Sequence, residues 1–314
     1  MFTPRSSWAD APAPLRAAVA DALGAAVDGH TDLHGGMSPG PAAALRLADG
    51  RTVFVKAVSA EVRAHNHLLI RRESGVLDVL PQTVAVPRRL ATVERGPWIA
   101  LVTTWAAGAA GARWTDASIA AVVDACRTAS GHRAPAALPP VAERIYDFDG
   151  WERVVAAGPA DEWEVAYAGR AAELAADWAR WTAGDALVHR DLRADNVAVD
   201  LAAGSATLLD WAYAAAGVPW LDLAQLAADI VGTGHRLGGR VATDRAYRLI
   251  QTLPADAARY VVALVGMWRI RAATAQDSVL PTISTWRRER VLALRPLVTR
   301  LITDLTGPAG PALR

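Results

Sequence analysis

Apolar residues fall in short runs over the first hundred positions and at helical spacing over most of the remainder. Pro14 to Val27 reads as a short amphipathic helix, followed by the turn-rich stretch His34–Gly40. Two apolar runs, Ala43–Ala48 and Thr52–Val58, are joined by Asp49-Gly50, a strong hairpin signal. Ala60–Leu80 has a helical pattern, with Leu68, Leu69, Val76, Leu77 and Leu80 available to one face. A second strand pair, Arg89–Glu94 and Trp98–Trp105, turns around Arg95-Gly96-Pro97. The small residues Ala106–Gly111 then break the pattern and mark a boundary.

Helices are predicted over Asp116–Ala129, Ala142–Ala156, Asp161–Thr182, Leu221–Val231, Asp244–Thr252, Asp256–Ala275 and Thr285–Leu305. Two short apolar runs, Val197–Val199 and Ala206–Leu209, interrupt them, and the Pro-rich segment Ala134–Pro140 is a linker. No repeat of fixed period is evident. The expectation is an α+β chain with a small β-rich lobe over residues 1–104, a flexible joint, and a larger, mainly helical lobe over residues 105–314.

With 52% hydrophobic and 21% charged residues, the 314-residue chain reads as globular and able to bury a large core. A formal charge of +1 gives no reason to expect a nucleic acid or an anionic membrane surface as partner. The start of the sequence lacks a basic stretch followed by an apolar core, and no run approaches the ~20 apolar residues of a membrane span. Cys126 is the sole cysteine, so no internal disulfide can form, and a cytoplasmic location is the expectation. Rarity supplies a sharper clue. Of 33 basic residues only Lys56 is a lysine, and the only asparagines are Asn66 and Asn196. In a chain so rich in Ala and Arg, a residue type used once or twice invites a chemical reason.

The segment Leu187–Val199 contains His189, Asp191 and Asn196 in the spacing H-x-D-x-x-x-x-N, and Asp210-Trp211 follows at the end of the next apolar run. Phosphoryl transfer requires the phosphoryl group and the attacking oxygen to be held in line, with negative charge neutralised by metal. A loop carboxylate can accept the substrate proton, while an amide oxygen and a second carboxylate hold Mg²⁺. A turn between the two short strands would bring Asp210 beside Asn196 and Asp191. In isolation such residues can equally cap helices and turns.

This segment resembles the catalytic loop of the protein-kinase superfamily, and more closely that of the aminoglycoside phosphotransferase family. Asp210-Trp211 resembles the family's replacement for the protein-kinase Asp-Phe-Gly, and Pro219–Ala224 resembles the segment that follows it. The resemblance covers about His34 to Leu226 and implies a bilobal protein-kinase-like fold that uses ATP and Mg²⁺. Carried over by position, it implies Asp191 as catalytic base, Asn196 and Asp210 as metal ligands and His189 as a brace; Asp195 receives no role.

Further matches occur in the expected order. Lys56 sits late in a strand, where a point cation neutralises the α- and β-phosphates, and arginine is no equivalent because its charge is spread over a wide fork. Glu61 and Glu73 compete as its acidic partner; Glu73 is favoured, because Arg71–Leu77 resembles the family's ion-pair helix. His34–Gly40 departs from G-x-G-x-x-G, yet Gly35, Gly36, Ser38 and Gly40 can offer amides to phosphate oxygens, or form a plain connecting turn. Val102–Ala107 is the expected hinge, with the Thr104 and Ala106 backbone on the adenine edge.

Glu143–Glu164 holds seven acids against two arginines, interleaved with Tyr146, Phe148, Trp151 and Trp163. Such a segment suits a cationic, hydroxylated small-molecule acceptor, an aminoglycoside among them, or it forms ordinary amphipathic helices with solvated acids. Alternatives to an antibiotic kinase are a kinase of a primary-metabolism alcohol or sugar and a nucleotide-binding regulator without chemistry. A protein kinase is disfavoured, because only eleven residues separate Asp210 from Asp222 and no Ala-Pro-Glu segment follows.

Overall fold

The computed structural model describes residues 5–36, 38–111, 113–234, 239–273, 280 and 282–307. In chain order the elements are α1 (Ala13–Leu23), β1 (Val27–Asp32), β2 (Ala42–Leu47), β3 (Thr52–Ser59), α2 (Ala60–Val79), β4 (Arg89–Arg95), β5 (Trp98–Thr104), β6 (Ala109–Ala110) and α3 (Asp116–Ser130). They continue with α4 (Gly150–Ala157), α5 (Glu162–Ala175), α6 (Trp178–Trp181), β7 (Ala186–Val188), β8 (Val197–Asp200), β9 (Ser205–Leu208), β10 (Ala215–Gly217), α7 (Leu221–Gly234), α8 (Gly239–Ile250), α9 (Ala255–Ala272) and α10 (Ile283–Thr306).

The small lobe is an antiparallel sheet in the order β1-β2-β3-β5-β4, with one helix on each face. Period-two alternation divides β3 between them. Val53, Val55 and Ala57 turn to the layer of Leu15, Val19 and Leu23 from α1, whereas Val58 joins Ile70, Val76 and Leu77 from α2. Ser59 caps α2 by accepting from the Glu61 amide at 3.2 Å. The large lobe buries α7 and α9 in the main core, where Trp151, Trp211 and Tyr260 are among the largest fully buried side chains. No helix among the described residues is long and apolar enough to cross a membrane.

Several expected boundaries are corrected. The helix expected to reach Val27 stops at Leu23, because Gly24 adopts φ +65° and supplies a left-handed cap. Val27–Asp32 is instead an edge strand, carried by its backbone pairing to β2 although its sequence is polar and includes Gly29. The helix expected over Ala142–Ala156 is broken: a single 3₁₀ turn spans Val141–Glu143, Asp147 lies at φ +65°, and α4 begins only at Gly150. Asp161–Thr182 likewise divides at Asp177, whose φ is +55°. The expected extension of a helix to Ala275 lies outside the described residues. The joint at Ala106–Gly111 is not a free linker, since β6 pairs with Ala198 and Val199 of β8.

Ion pairs fasten the broken segment to the C-terminal helices. Glu164 is buried, accepts from Arg269 Nε at 2.6 Å and from the Ala160 amide at 2.8 Å, and lies 3.6 Å from Arg295. Burial opposes its charge, but these donors outweigh it and hold its pKa below the ordinary carboxylate value. A depressed folded-state pKa stabilises the fold above the unfolded-state value, and this contribution is lost as pH falls through the folded-state value. Glu164→Gln is therefore expected to cost about 2 kcal/mol at neutral pH, with a smaller difference from the parent in strong acid, as measured by urea unfolding across pH.

Candidate active site

A cleft of about 1080 Å³ separates the sheet from the helical lobe. Lys56 reaches it because its β3 neighbours Val55 and Ala57 are committed to the opposite face. Ile70, Glu73 and Leu77 share one stripe of α2, so packing of the two apolar residues carries Glu73 inward. The Lys56 ammonium pairs with Glu73 and donates to Asp210 Oδ1 at 3.0 Å. Glu61 instead occupies the start of the helix.

The loop between β7 and β8 supplies the opposite wall. Gly204, at φ +64°, lies in the β8–β9 turn, and the hairpin register sets Val197 against Leu208. The Leu209 amide then donates to the Asn196 carbonyl at 2.8 Å, which places Asp210 beside Asn196. Asn196 Nδ2 donates to Asp191 Oδ2 and to the Asp191 carbonyl, both at 2.8 Å. His189 is buried edge-on against Trp211. Its Nδ1 accepts from the Asp191 amide at 3.2 Å, so Nε2 carries the proton donated to the Leu209 carbonyl at 2.7 Å.

Sequence reasoning assigned no bracing role to Asp222, Gln225, Asp229 or Arg290. Buried Asp222 accepts from the amides of His189 and Arg190 at 2.7 and 2.8 Å, and Gln225 Nε2 donates to the Arg190 carbonyl at 2.7 Å. Asp229 pairs with Arg290 at 2.7 Å and accepts from the Ala194 amide and Trp114 Nε1, both at 2.9 Å. Asp195 forms a two-pronged pair with Arg193, whose Nη2 lies 3.9 Å from Asp191. The Asp222 and Gln225 bonds hold Arg190 in left-handed backbone at φ +70°, and Asp210 is left-handed too, at φ +63°.

Three charges compete at Lys56. Burial works against the ammonium, but Asp210 and Glu73 outweigh it and raise its pKa. Asp210 also resists burial: the Lys56 charge and hydrogen bond bring it down to about 2. Glu73, more deeply enclosed, is pushed by burial up to about 7, with Lys56 opposing and Asp210 adding to the shift. Burial also raises Asp191, against the pull of Arg193.

On the sheet side of the cleft Gly35, Gly36 and Ser38 line the wall, and Gly36 adopts φ +72°. Gly40 serves packing instead, since a Cβ there would overlap the Ala57 carbonyl of β3. Arg5 was not anticipated: it donates to the carbonyls of Gly35 at 2.6 Å and Gly40 at 3.1 Å. One arginine among many carries no positional signal. Thr104 and Ala106 both line the cleft, but the Thr104 amide already donates to the Arg88 carbonyl at 2.8 Å, and its carbonyl accepts from the Thr103 hydroxyl at 3.2 Å with one lone pair to spare.

The acids of Glu143–Glu164 do not line the cleft; Arg144, Ile145, Tyr146 and Phe148 of the broken segment do. Asp147 pairs with Arg153 and Arg271, Asp161 with Arg295, and Glu164 with Arg269. Trp151 and Phe148 are core residues, and Trp163 packs against that core.

Asp210 and Asn196 fit a hard cation: Asn196 Oδ1 stays available while its Nδ2 is engaged, and Asp210 is ionised. Among the described residues no three His, Cys, Asp or Glu side chains gather as a protein-only metal cage. Two protein donors suit Mg²⁺, which commonly takes its other ligands from water and substrate phosphates.

The whole fold has known counterparts. A thermostable mutant of aminoglycoside phosphotransferase APH(4)-Ia superposes with a TM-score of 0.61 at 13% identity, over 93% of this chain and 100% of that one. The same enzyme carrying D198A, solved with ADP and hygromycin B, gives 0.61 and 13% over 94% and 99%. Choline kinase LicA from Streptococcus pneumoniae gives 0.56 and 12% over 89% and 98%. At such identities the likeness shows the bilobal kinase-like fold. No curated protein matches the chain in sequence. The family model described as "Phosphotransferase enzyme family" matches residues 41–260, a span that runs from β2 across the cleft into α9, and the chain belongs to that family.

Proposed function

We propose that this phosphotransferase is an ATP-dependent kinase that moves the γ-phosphoryl of ATP to a hydroxyl of a small molecule. The observation that carries the reading is the contact of Lys56 with Asp210 across the cleft, beside the Asn196–Asp191 pair. A cation, two carboxylates and an amide meet where a triphosphate and an attacking oxygen have to be aligned.

In this reading Lys56, fixed by Glu73, neutralises the α- and β-phosphates, and Gly35, Gly36 and Ser38 cover them. The Thr104 carbonyl and the Ala106 backbone meet the adenine edge. Asp191 orients the acceptor hydroxyl and takes its proton, a task suited to a carboxylate whose pKa burial has raised. Asp210 and Asn196 hold Mg²⁺, which when bound neutralises charge developing on the β- and γ-phosphate oxygens. The lobe boundary is placed after Thr104, giving a nucleotide-binding lobe over 1–104 and a catalytic and acceptor-binding lobe over 105–314. Aminoglycosides belong in an acceptor screen because a protein of the same fold was solved with hygromycin B.

A screen of hydroxylated small molecules with labelled ATP tests the reading. Mg²⁺-dependent label transfer is expected, and nucleotide binding with no transfer to any acceptor would favour a regulator instead. Asp191→Asn is expected to lower kcat by about 10²–10⁴ while leaving AMP-PNP affinity and the unfolding midpoint unchanged. Lys56→Met is expected to lower kcat/KM for ATP by about 10²-fold, the worth of one charge-assisted phosphate contact. Lys56→Arg should not rescue it, because the guanidinium is too broad for the gap between Glu73 and Asp210.

A further inference from the structure

The acceptor half of the cleft carries an unexplained cluster of arginines. Arg190 lies next to Asp191 on a backbone held in place by Asp222 and Gln225. Its guanidinium reaches the break between the Val141–Glu143 turn and α4, where Nη2 donates to the Arg144 carbonyl at 2.9 Å. The other two nitrogens, Nε and Nη1, are shielded from solvent without a hydrogen-bond partner, as is Nε of Arg144. Arg72 of α2 has one long contact, 3.5 Å to the Ala214 carbonyl. Its pKa is lowered first by burial and then by the charges of Arg144 and Arg190, so the three cations stand close enough to repel one another.

Among the described residues no carboxylate forms an ion pair with Arg72, Arg144 or Arg190. Asp222, the nearby acid, uses both oxygens on backbone amides, and Asp191 is engaged by Asn196. Arg72, Arg144 and Arg190 are half-buried, and cations withdrawn from water are normally paired, because their lost hydration is otherwise uncompensated. Other half-buried arginines of this lobe, such as Arg269 and Arg295, follow that rule. A guanidinium presents a planar fork that matches the oxygens of a phosphate or carboxylate. Tyr213, which lines the cleft within the electrostatic reach of Arg72 and Arg190, adds a hydroxyl to the same corner.

We infer that Arg144 and Arg190, backed by Arg72, form an oxyanion subsite beside Asp191, so that the acceptor is a hydroxylated small molecule bearing a phosphate or carboxylate group. The inference rests on the kinase reading and assigns its substrate class. The arginines would hold the anionic end of the acceptor while a hydroxyl at its other end meets Asp191.

Calorimetric titration of the full chain, saturated with Mg²⁺ and AMP-PNP so that the triphosphate site is filled, tests it. Inorganic phosphate and acetate are the two probes, at ionic strength held constant with chloride. Saturable binding of either anion is expected, and the stronger one identifies the acceptor's group. Arg144→Gln and Arg190→Gln should each weaken it at least about tenfold, with AMP-PNP affinity retained. Arg144→Gln keeps the carbonyl that Arg190 uses, so it remains informative if Arg190→Gln does not fold. No saturable binding of either anion, or binding that survives in both variants, overturns the subsite. A second arm compares label transfer to hydroxy acids and sugar phosphates with transfer to their neutral counterparts and to aminoglycosides. Preference for the anionic member, with its KM raised in Arg144→Gln and KM for ATP unchanged, supports the subsite. Turnover confined to neutral or polyamine acceptors overturns it and leaves the kinase reading standing. Failure of AMP-PNP to bind would remove the kinase reading itself, a distinct result.

Discussion

One ammonium, held between two carboxylates in the cleft, is the constraint around which this protein is arranged. Lys56 comes from the sheet, Glu73 from the helix behind it, and Asp210 from the opposite lobe. The three charges do not balance by themselves, and the imbalance is placed unevenly. Asp210, at the cleft, keeps its negative charge, while Glu73 sits where burial makes a proton easier to retain. The contact joins two lobes that also share apolar packing, since Ile70, Val76 and Leu77 of α2 belong to the same cluster as the core of the large lobe.

Much of the remaining structure holds the wall opposite that ammonium. The loop carrying Asp191 bonds to itself, and α7 adds a second set of restraints on its backbone through Asp222, Gln225 and Asp229. Asp222 and Asp229 are buried and committed to backbone amides, which makes them parts of the loop although they lie more than thirty residues away in sequence. Left-handed backbone at Arg190 would relax without such restraint. Precision at the site is thus an outcome of helix packing in the large lobe.

How much of this could be read from the residues follows from how each type announces itself. Lys56 stands out because it is the only lysine, and His189, Asp191 and Asn196 because a short loop compresses their chemistry into fixed spacing. The strand pairs around Asp49-Gly50 and Gly96 were legible for the same local reason, as turn residues flank alternating apolar positions. The edge strand Val27–Asp32 was not, because its pairing is a property of the neighbouring strand and its own side chains are polar. The break at Asp147 was hidden because the flanking residues keep a helical period, and Arg271 from α9 stabilises the strained backbone only in the folded chain. The acids there look from sequence like a ligand surface, yet several are consumed by arginines more than a hundred residues away. Long-range charge pairing leaves no mark on local pattern.

The short pairing of β6 with β8 has a mechanical corollary. Gly108, with φ +90°, presses against the Val199 backbone so closely that no side chain could be accommodated, and the chain just beyond β5 is thereby stapled to the lower lobe. On this side a swing of the upper lobe falls on the few peptide units between Thr104 and Gly108, while the Leu208 amide, bonded to the Ala85 carbonyl at 3.0 Å, holds the loop after α2 to the lower lobe. A pivot that short permits tilting more readily than sliding, so the walls would part like a book opened at its spine, widest at the rim and least at the rungs nearest the staple.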